Sequence, residues 1–228
     1  MRQLFLISSV IICTACLPST HVIEEGTETG TGVKIEAPKH DSEAPEITET
    51  GSLLSTERLL ETGVLEIGSS KAPHTLLIFT EHNCNYCRTF HKEQLPILIS
   101  EFINSGELRI QISPFVLNKY ANSKDLAQAA ICASKQGKGL IMHNELFSES
   151  NRDLKSINSY AKEIELDEAE FEICMNNTGS GSTVSKMQDW AKSLGVKYVP
   201  TFFLDGEKFE GLQYYSDLRG RIEKVLED

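Results

Sequence analysis

Cys84-Asn85-Tyr86-Cys87 sets two thiols two residues apart, after the apolar run Thr75-Leu-Leu-Ile-Phe-Thr80 and at the head of a segment that reads as a helix, Cys84 to Leu95. A pair at such a strand-to-helix junction can make and break a disulfide reversibly. The helix N-terminus offers unpaired backbone N–H groups and the positive end of its dipole, which favour a thiolate on the first cysteine. That thiolate is the nucleophile of thiol–disulfide exchange. A metal site is the rival chemistry, because His82 and His91 flank the pair and two thiolates with imidazoles suit zinc or copper. His91, however, stands one turn beyond Cys87 on the same helix, and the spacing matches no zinc finger. Exchange is the expected chemistry, and no metal is expected.

The rest of the chain supplies the setting. At 228 residues, with 40% hydrophobic and 24% charged residues, it suits one domain with an insertion or two small ones. A net charge of -11 and the lack of any basic cluster exclude nucleic acid and anionic membrane surfaces as electrostatic partners. Residues 1–16 read as a signal segment: Arg2, the apolar stretch Leu4 to Ile12, then Thr14-Ala15 ahead of Cys16. The stretch is shorter than the roughly 20 residues that a spanning helix needs. Cys13-Thr14-Ala15-Cys16 also resembles a bacterial lipobox, which would make Cys16 a lipidation site, although that pattern prefers Leu where Cys13 stands. Lipoprotein processing, plain secretory cleavage and a retained anchor all put the domain outside the cytosol, in the periplasm or at the cell surface of a bacterium. Residues 17–52, rich in Glu, Thr, Gly and Pro, read as a disordered acidic tether.

Of the six cysteines, four remain once Cys13 and Cys16 are set aside, an even number for an oxidising compartment. Cys132 and Cys174 are a second redox pair or a structural disulfide. Neither has a CxxC partner and both lie on helices with core spacing, which favours the structural reading.

The elements that must hold the CxxC follow from periodicity. Leu53 to Leu60 reads as a short lead-in helix and Val64 to Ile67 as a short edge strand. Thr75 to Thr80 reads as a central strand covered on both faces, and Leu108 to Ser113 as an alternating strand. The helix between them runs to Phe102 with a kink or break at Pro96. This β-α-β order implies a right-handed parallel crossover. From Ser123 to about Asn176 the pattern is helical throughout, with Leu126, Ala129, Ala130 and Ala133 on one face and a capping box at Asp167 and Glu170. A flexible joint, Thr178 to Ser182, precedes a helix that ends at Gly195. Thr201 to Leu204 and Lys208 to Glu210 form a hairpin around Asp205-Gly206. A last helix buries Tyr214, Leu218, Ile222 and Val225.

This order, with Phe79-Thr-Glu-His-Asn-Cys-Asn-Tyr-Cys-Arg-Thr-Phe-His91, Ala129 to Gly137, Met142-His143, Leu146-Phe147 and Gly195-Val-Lys-Tyr-Val-Pro-Thr-Phe-Phe203, resembles the DsbA-like branch of the thioredoxin superfamily. The resemblance implies an α/β thioredoxin-like fold over residues 53–228, with a helical subdomain inserted at about 120–178. It implies an extracytoplasmic thiol–disulfide oxidoreductase, with Cys84 as nucleophile, Cys87 as resolving thiol, and Asn85 and Tyr86 tuning the thiolate. Val199-Pro200 takes the place of the family's cis-proline, presenting the Val199 backbone to substrate, with Thr201 following. His91 and His143 match family positions of helix-surface or packing residues, not catalysts, and Trp190 reads as core, not a ligand site. The implied partners are reduced exported proteins and a membrane-embedded, quinone-linked reoxidant; no cofactor is implied. Residues 17–52 are too polar for the dimerisation domain of isomerases in this superfamily, which favours a monomeric oxidase over an isomerase or reductase. A lipid-tethered metal- or protein-binding module without turnover is the other class, and the intact cysteine pair argues against it. Two positions depart from the pattern. Asn85 stands where the family commonly has Pro, and Ile78 stands where the superfamily often has a buried carboxylate that serves the resolving thiol. Glu81 is nearer, at the expected strand end, where it would be solvated.

Overall fold

The computed structural model describes residues 57–148, 150–177, 179, 182–211 and 214–227. The signal segment, Cys16, the tether and most of the Thr178–Ser182 joint lie outside the described residues. Six strands form one sheet: β1 Glu57–Leu59, β2 Leu65–Ile67, β3 His74–Thr80, β4 Leu108–Pro114, β5 Thr201–Leu204 and β6 Glu207–Glu210, in the order β1-β2-β4-β3-β5-β6. β3 and β4 are parallel, with Ile78 opposite Ile112, and every other pair is antiparallel. The helices are α1 (residues 85–103), α2 Ser123–Lys135, α3 Gly139–Ser148, α4 Leu154–Glu163, α5 Glu168–Met175, α6 Thr183–Ser193 and α7 Tyr215–Glu227.

β3 is buried on both faces because its residues are apolar without interruption. Leu76 and Ile78 join a core beneath α1 and α7 with Phe90, Leu98, Phe202, Leu218 and Ile222. Leu77 and Phe79 point the other way, into a core with Ala127, Ile131, Val184 and Met187 from α2 and α6. The period of two along a strand sorts them. α2 is shared: Ala127 and Ile131 face the sheet, while Leu126, Ala129, Ala130 and Ala133 face α3, α4 and α5 in a separate helical core. Inside that core Cys132 and Cys174 are joined by a disulfide.

Four expectations need correction. Where Leu53 to Leu60 read as a helix, the described half is strand: Glu57–Leu59 pairs with β2. Glu57 has a reason to be there, since its carboxylate accepts the Gly139 and Leu140 N–H groups at 2.5 and 3.0 Å and so caps α3 from across the sheet. β2 is consequently interior and not an edge, between β1 and β4. In the last helix Tyr215, not Tyr214, packs on the core; Tyr214 is 61% exposed. At Asp167 only half of the capping box forms. The carboxylate accepts the Glu170 N–H, while the Asp167 N–H goes to the Gln136 side chain.

Pro96 leaves α1 continuous but irregular. It has no N–H to donate and its ring crowds the preceding turn. The helix widens there: the Leu95 N–H reaches back five residues to the Phe90 carbonyl, making Phe90–Gln94 a π-helical turn. Phe90 and His91 are adjacent yet both buried in that turn. At the hairpin, Asp205 and Gly206 both take positive φ, 48 and 90°, as a two-residue turn between right-twisted strands requires.

Candidate active site

Cys84 is the N-cap of α1 and Cys87 lies on its first turn. Both are free thiols; Cys84 is half-buried and Cys87 fully buried. Position explains the asymmetry. A cap residue sits at the helix end and faces solvent, whereas three residues further on the side chain turns inward beneath the sheet end.

The electrostatics follow. The Cys84 sulfur is drawn down to about 6 by the hydrogen bond from the Cys87 thiol, and further by the backbone N–H groups of Cys87 and Tyr86. Partial burial and the Glu81 charge oppose this and are outweighed. Burial pushes the Cys87 thiol up, and its neighbour Cys84 adds to the effect through the shared hydrogen bond and through its charge. The Thr80 side chain and the Glu81 backbone pull in the opposite direction. One thiol is therefore an anion at neutral pH and the other is a protonated donor.

Val199-Pro200 is a cis peptide, and the Cys84 thiol lies 3.5 Å from the Val199 carbonyl. Thr201, fully buried, begins β5 and donates its hydroxyl to the Tyr198 carbonyl at 2.7 Å, tying the loop to the strand. Asn85 and Tyr86 both face solvent, Tyr86 being 80% exposed. Beside them runs a cavity of about 530 Å³ whose walls include Tyr86, Phe90, Tyr198, Val199, Pro200 and Phe202. The structure thus brings Cys84, Cys87, Asn85, Tyr86, Val199, Pro200 and Thr201 to one place. Cys132 and Cys174 lie elsewhere, in the helical core.

Ile78 is buried in the apolar core, with no carboxylate at that position. Glu81 overturns the expectation of a solvated strand end: it is 2% exposed. The chain turns sharply after β3, with the Cys84 N–H donating to the Glu81 carbonyl at 3.0 Å, and this turn folds the carboxylate inward. There it accepts the Asn83 backbone N–H at 2.9 Å and side-chain amide at 3.0 Å, and burial raises it above the ordinary carboxylate range. Asn83 also donates to Asn122 at the start of α2 (3.1 Å), so a polar chain joins the CxxC loop to the helices beyond. Neither Asn83 nor Asn122 carries a sequence signal, because the bond that matters spans 39 positions. His82, flanking the pair in sequence, is also buried, against His143. Among the described residues no group of three or more His, Cys, Asp or Glu side chains is placed to hold a metal ion, and no helix is long and apolar enough to cross a membrane.

This geometry has relatives. The curated protein described as probable disulfide bond formation protein D of Bacillus cereus is 24% identical over 149 residues, 61% of this chain and 69% of its own length. The oxidised crystal structure of BdbD from Bacillus subtilis superimposes with a TM-score of 0.66 at 19% identity, covering 76% of this chain and 98% of that one. Chlamydia trachomatis DsbA does so with 0.61 at 18% identity, covering 71% and 91%. The family model Thioredoxin_4, described as thioredoxin, matches residues 60–224, from just after β1 into α7. With the two thiols, their opposite ionisation and the cis-proline loop inside that span, the chain belongs to the Thioredoxin_4 family and is a thiol–disulfide oxidoreductase of DsbA-like build.

Proposed function

We propose that this protein oxidises reduced exported proteins outside the cytoplasm, using the Cys84–Cys87 disulfide as the oxidant. The observation that carries this reading is the placement of Cys84 at the helix N-cap, half-exposed beside the Val199 carbonyl, with Cys87 buried one turn in, an arrangement that lowers the first thiol and raises the second. A substrate thiolate attacks the Cys84 sulfur; the Cys84–Cys87 bond breaks, and Cys87 takes its electron pair and then a proton. A second substrate thiolate attacks the substrate sulfur of the mixed disulfide. Cys84 leaves as a thiolate, and two electrons now rest on the enzyme pair. A leaving group held near 6 makes this last step fast and makes the reduced enzyme the stable form, which is the condition for a strong oxidant.

The Val199 carbonyl beside Cys84 supports docking of an extended substrate strand across the cis-proline loop, its side chains entering the aromatic-walled cavity. Val199, Pro200 and Thr201 are assigned to that role, and Asn85 and Tyr86 to tuning and first contact. The curated Bacillus relative's description as a disulfide bond formation protein agrees with the direction of transfer. We assign the Cys132–Cys174 disulfide to stabilising a helical insertion at about 120–178. From the sequence of residues 1–52 we assign export, lipidation at Cys16 and a tether. Catalytic turnover then requires a membrane-embedded, quinone-linked reoxidant for the reduced pair, and the enzyme works as a monomer. The test is the equilibrium potential of Cys84–Cys87 against glutathione. A value near about -120 mV supports the oxidase, and one near about -270 mV, thioredoxin's, would replace it with a reductase.

A further inference from the structure

Three imidazoles that exchange does not use are packed together beside it. His82 lies in the loop two residues before Cys84, His91 on α1 one turn after Cys87, and His143 on α3. They are 1%, 4% and 1% exposed. His82 Nε2 and His143 Nδ1 are 3.0 Å apart and the two rings stack at 4.9 Å. The His91 ring lies 5.7 Å from that of His143, and its Nε2 donates to Asn144 Oδ1 at 3.1 Å. Phe147 closes the stack, 4.7 Å from His82 and 4.4 Å from His91. His82 and His91 bracket the two cysteines in the chain, so this stack joins the helical core to the segment that carries the chemistry.

Such a join depends on neutrality. The His82–His143 bond needs one bare nitrogen, and two imidazolium rings would point a proton at each other. Arg152, preceding α4, repels a charge on His82. Glu81, on the same loop as His82, has its oxygens engaged by Asn83 and the Ser123 side chain, and its charge faces Arg152. Lys92 shares with His91 a surface cavity of about 280 Å³, completed by Pro96, Asn144 and Ser148, which gives protons a way in. Burial, reinforced by His91 and Arg152, holds His82 down to about 3. Burial holds His91 to about 4, and burial with the other two rings holds His143 well below the ordinary range.

We propose that His143 is a positioning residue for the CxxC segment, holding it through the His82 bond and the three-ring stack, and that acid releases this hold. The folded values lie below that of a free imidazole. The stabilisation is therefore complete above about pH 6.5 and is lost progressively as pH falls toward the folded values. Each ring freed by opening makes the open state about tenfold more populated per pH unit over that range, so three rings give about a thousandfold.

Hydrogen exchange of the full chain between about pH 6.5 and 4.5, corrected for the intrinsic pH dependence of exchange, tests this. The expected result is that amides of α3 and of the first turn of α1 open with a proton slope near three, while β3 and β4 stay protected. His143→Gln should lower the slope to near two. A slope of one or less in the parent, an unchanged slope in the variant, or simultaneous loss of β3 and α3 protection would overturn the proposal. Should His143→Gln fail to fold, ring-proton NMR of the parent decides. Three histidines that stay neutral below pH 5 support the latch, and block histidines titrating near 6.5 refute it.

Discussion

The two cysteine pairs of this protein share one chemistry and differ in everything around it. Cys84 and Cys87 are three positions apart at the head of one helix, free, with one sulfur half-exposed. Cys132 and Cys174 are 42 positions apart on two helices, bonded, with Cys132 buried and Cys174 partly so. The first pair is held by groups that stabilise a thiolate on one sulfur only, so electrons can be taken up and passed on. The second is held inside an apolar core with Gln128 as its polar neighbour, its amide 3.4 and 3.7 Å from the two sulfurs. Redox work here comes from a helix N-terminus that ionises one sulfur and leaves it reachable; a bonded pair packed into an apolar core makes a staple. Helix position controls which is which.

The comparison breaks most visibly at Cys84. Cys84→Ala should cut the oxidation of a reduced protein substrate at least about a thousandfold, because no other sulfur in the site is both ionised and reachable. Cys87→Ala should instead trap a mixed disulfide when its Cys84 thiolate attacks a disulfide-bonded peptide and expels the peptide's other thiolate, because no resolving thiol remains; the covalent adduct is readable by mass spectrometry. If Cys84→Ala oxidised substrate at the parental rate, the distinction between the pairs would be gone.

Most of this comparison was legible in the sequence. The CxxC between an apolar run and a helix, Val199-Pro200 before Thr201-Phe-Phe, and the alternation of Leu108 to Ser113 each depend on neighbours in the chain, and local patterns carry such information. What was misread depends on distant partners. Glu57 to Leu59 looked helical because its use, capping α3 from β1, is a contact 82 positions away. Glu81 read as solvated because strand-end carboxylates usually are; the turn that buries it appears only with Asn83 and Asn122 in place. The histidine stack is divided among three elements: in the sequence His82 reads only as a flanking metal-ligand candidate, and His91 and His143 as helix-surface or packing positions.

The second pair should break differently. The double variant Cys132→Ala/Cys174→Ala should lose about 4 kcal/mol of stability, the chain-entropy value for a loop of 42 residues, measured as a shift of the denaturation midpoint. Its Cys84 titration should stay where it is. A variant with parental stability but altered exchange would make this disulfide a second redox centre and overturn the contrast.

A subtler effect sharpens the first pair. Above about pH 6 the reduced pair binds one proton, on Cys87, since Cys84 is already a thiolate. Two electrons then travel with one proton, and the Cys84–Cys87 potential should fall by about 30 mV per pH unit, half the slope of an ordinary dithiol. Below that pH the slope should double. The sign follows from the depressed Cys84 value: its stabilisation of the reduced form is complete only above the pKa of an unperturbed thiol and is lost as pH falls through about 6. Thiolate absorbance of the reduced protein gives the midpoint independently, and a midpoint near 8.5 would remove the asymmetry on which the oxidase reading rests.

The smallest predicted effect tests whether the two regions are separable. Asp167 caps α5, the helix that carries Cys174, by accepting the Glu170 N–H at 2.8 Å, and its own N–H is held by Gln136 across the helical core. Asp167→Ala removes the first bond and keeps the second, because a backbone N–H survives the substitution. The expected cost is about 1 kcal/mol by denaturant titration, with the disulfide intact. Because α5 packs on α2 and α4, while the CxxC segment meets the helices at Asn122 and His143, the Cys84 midpoint should not move. If so small a loss at α5 shifted it, the helical core would be acting on the thiolate as one rigid body. The histidine join would then transmit strain from the whole helical core and not merely hold the loop.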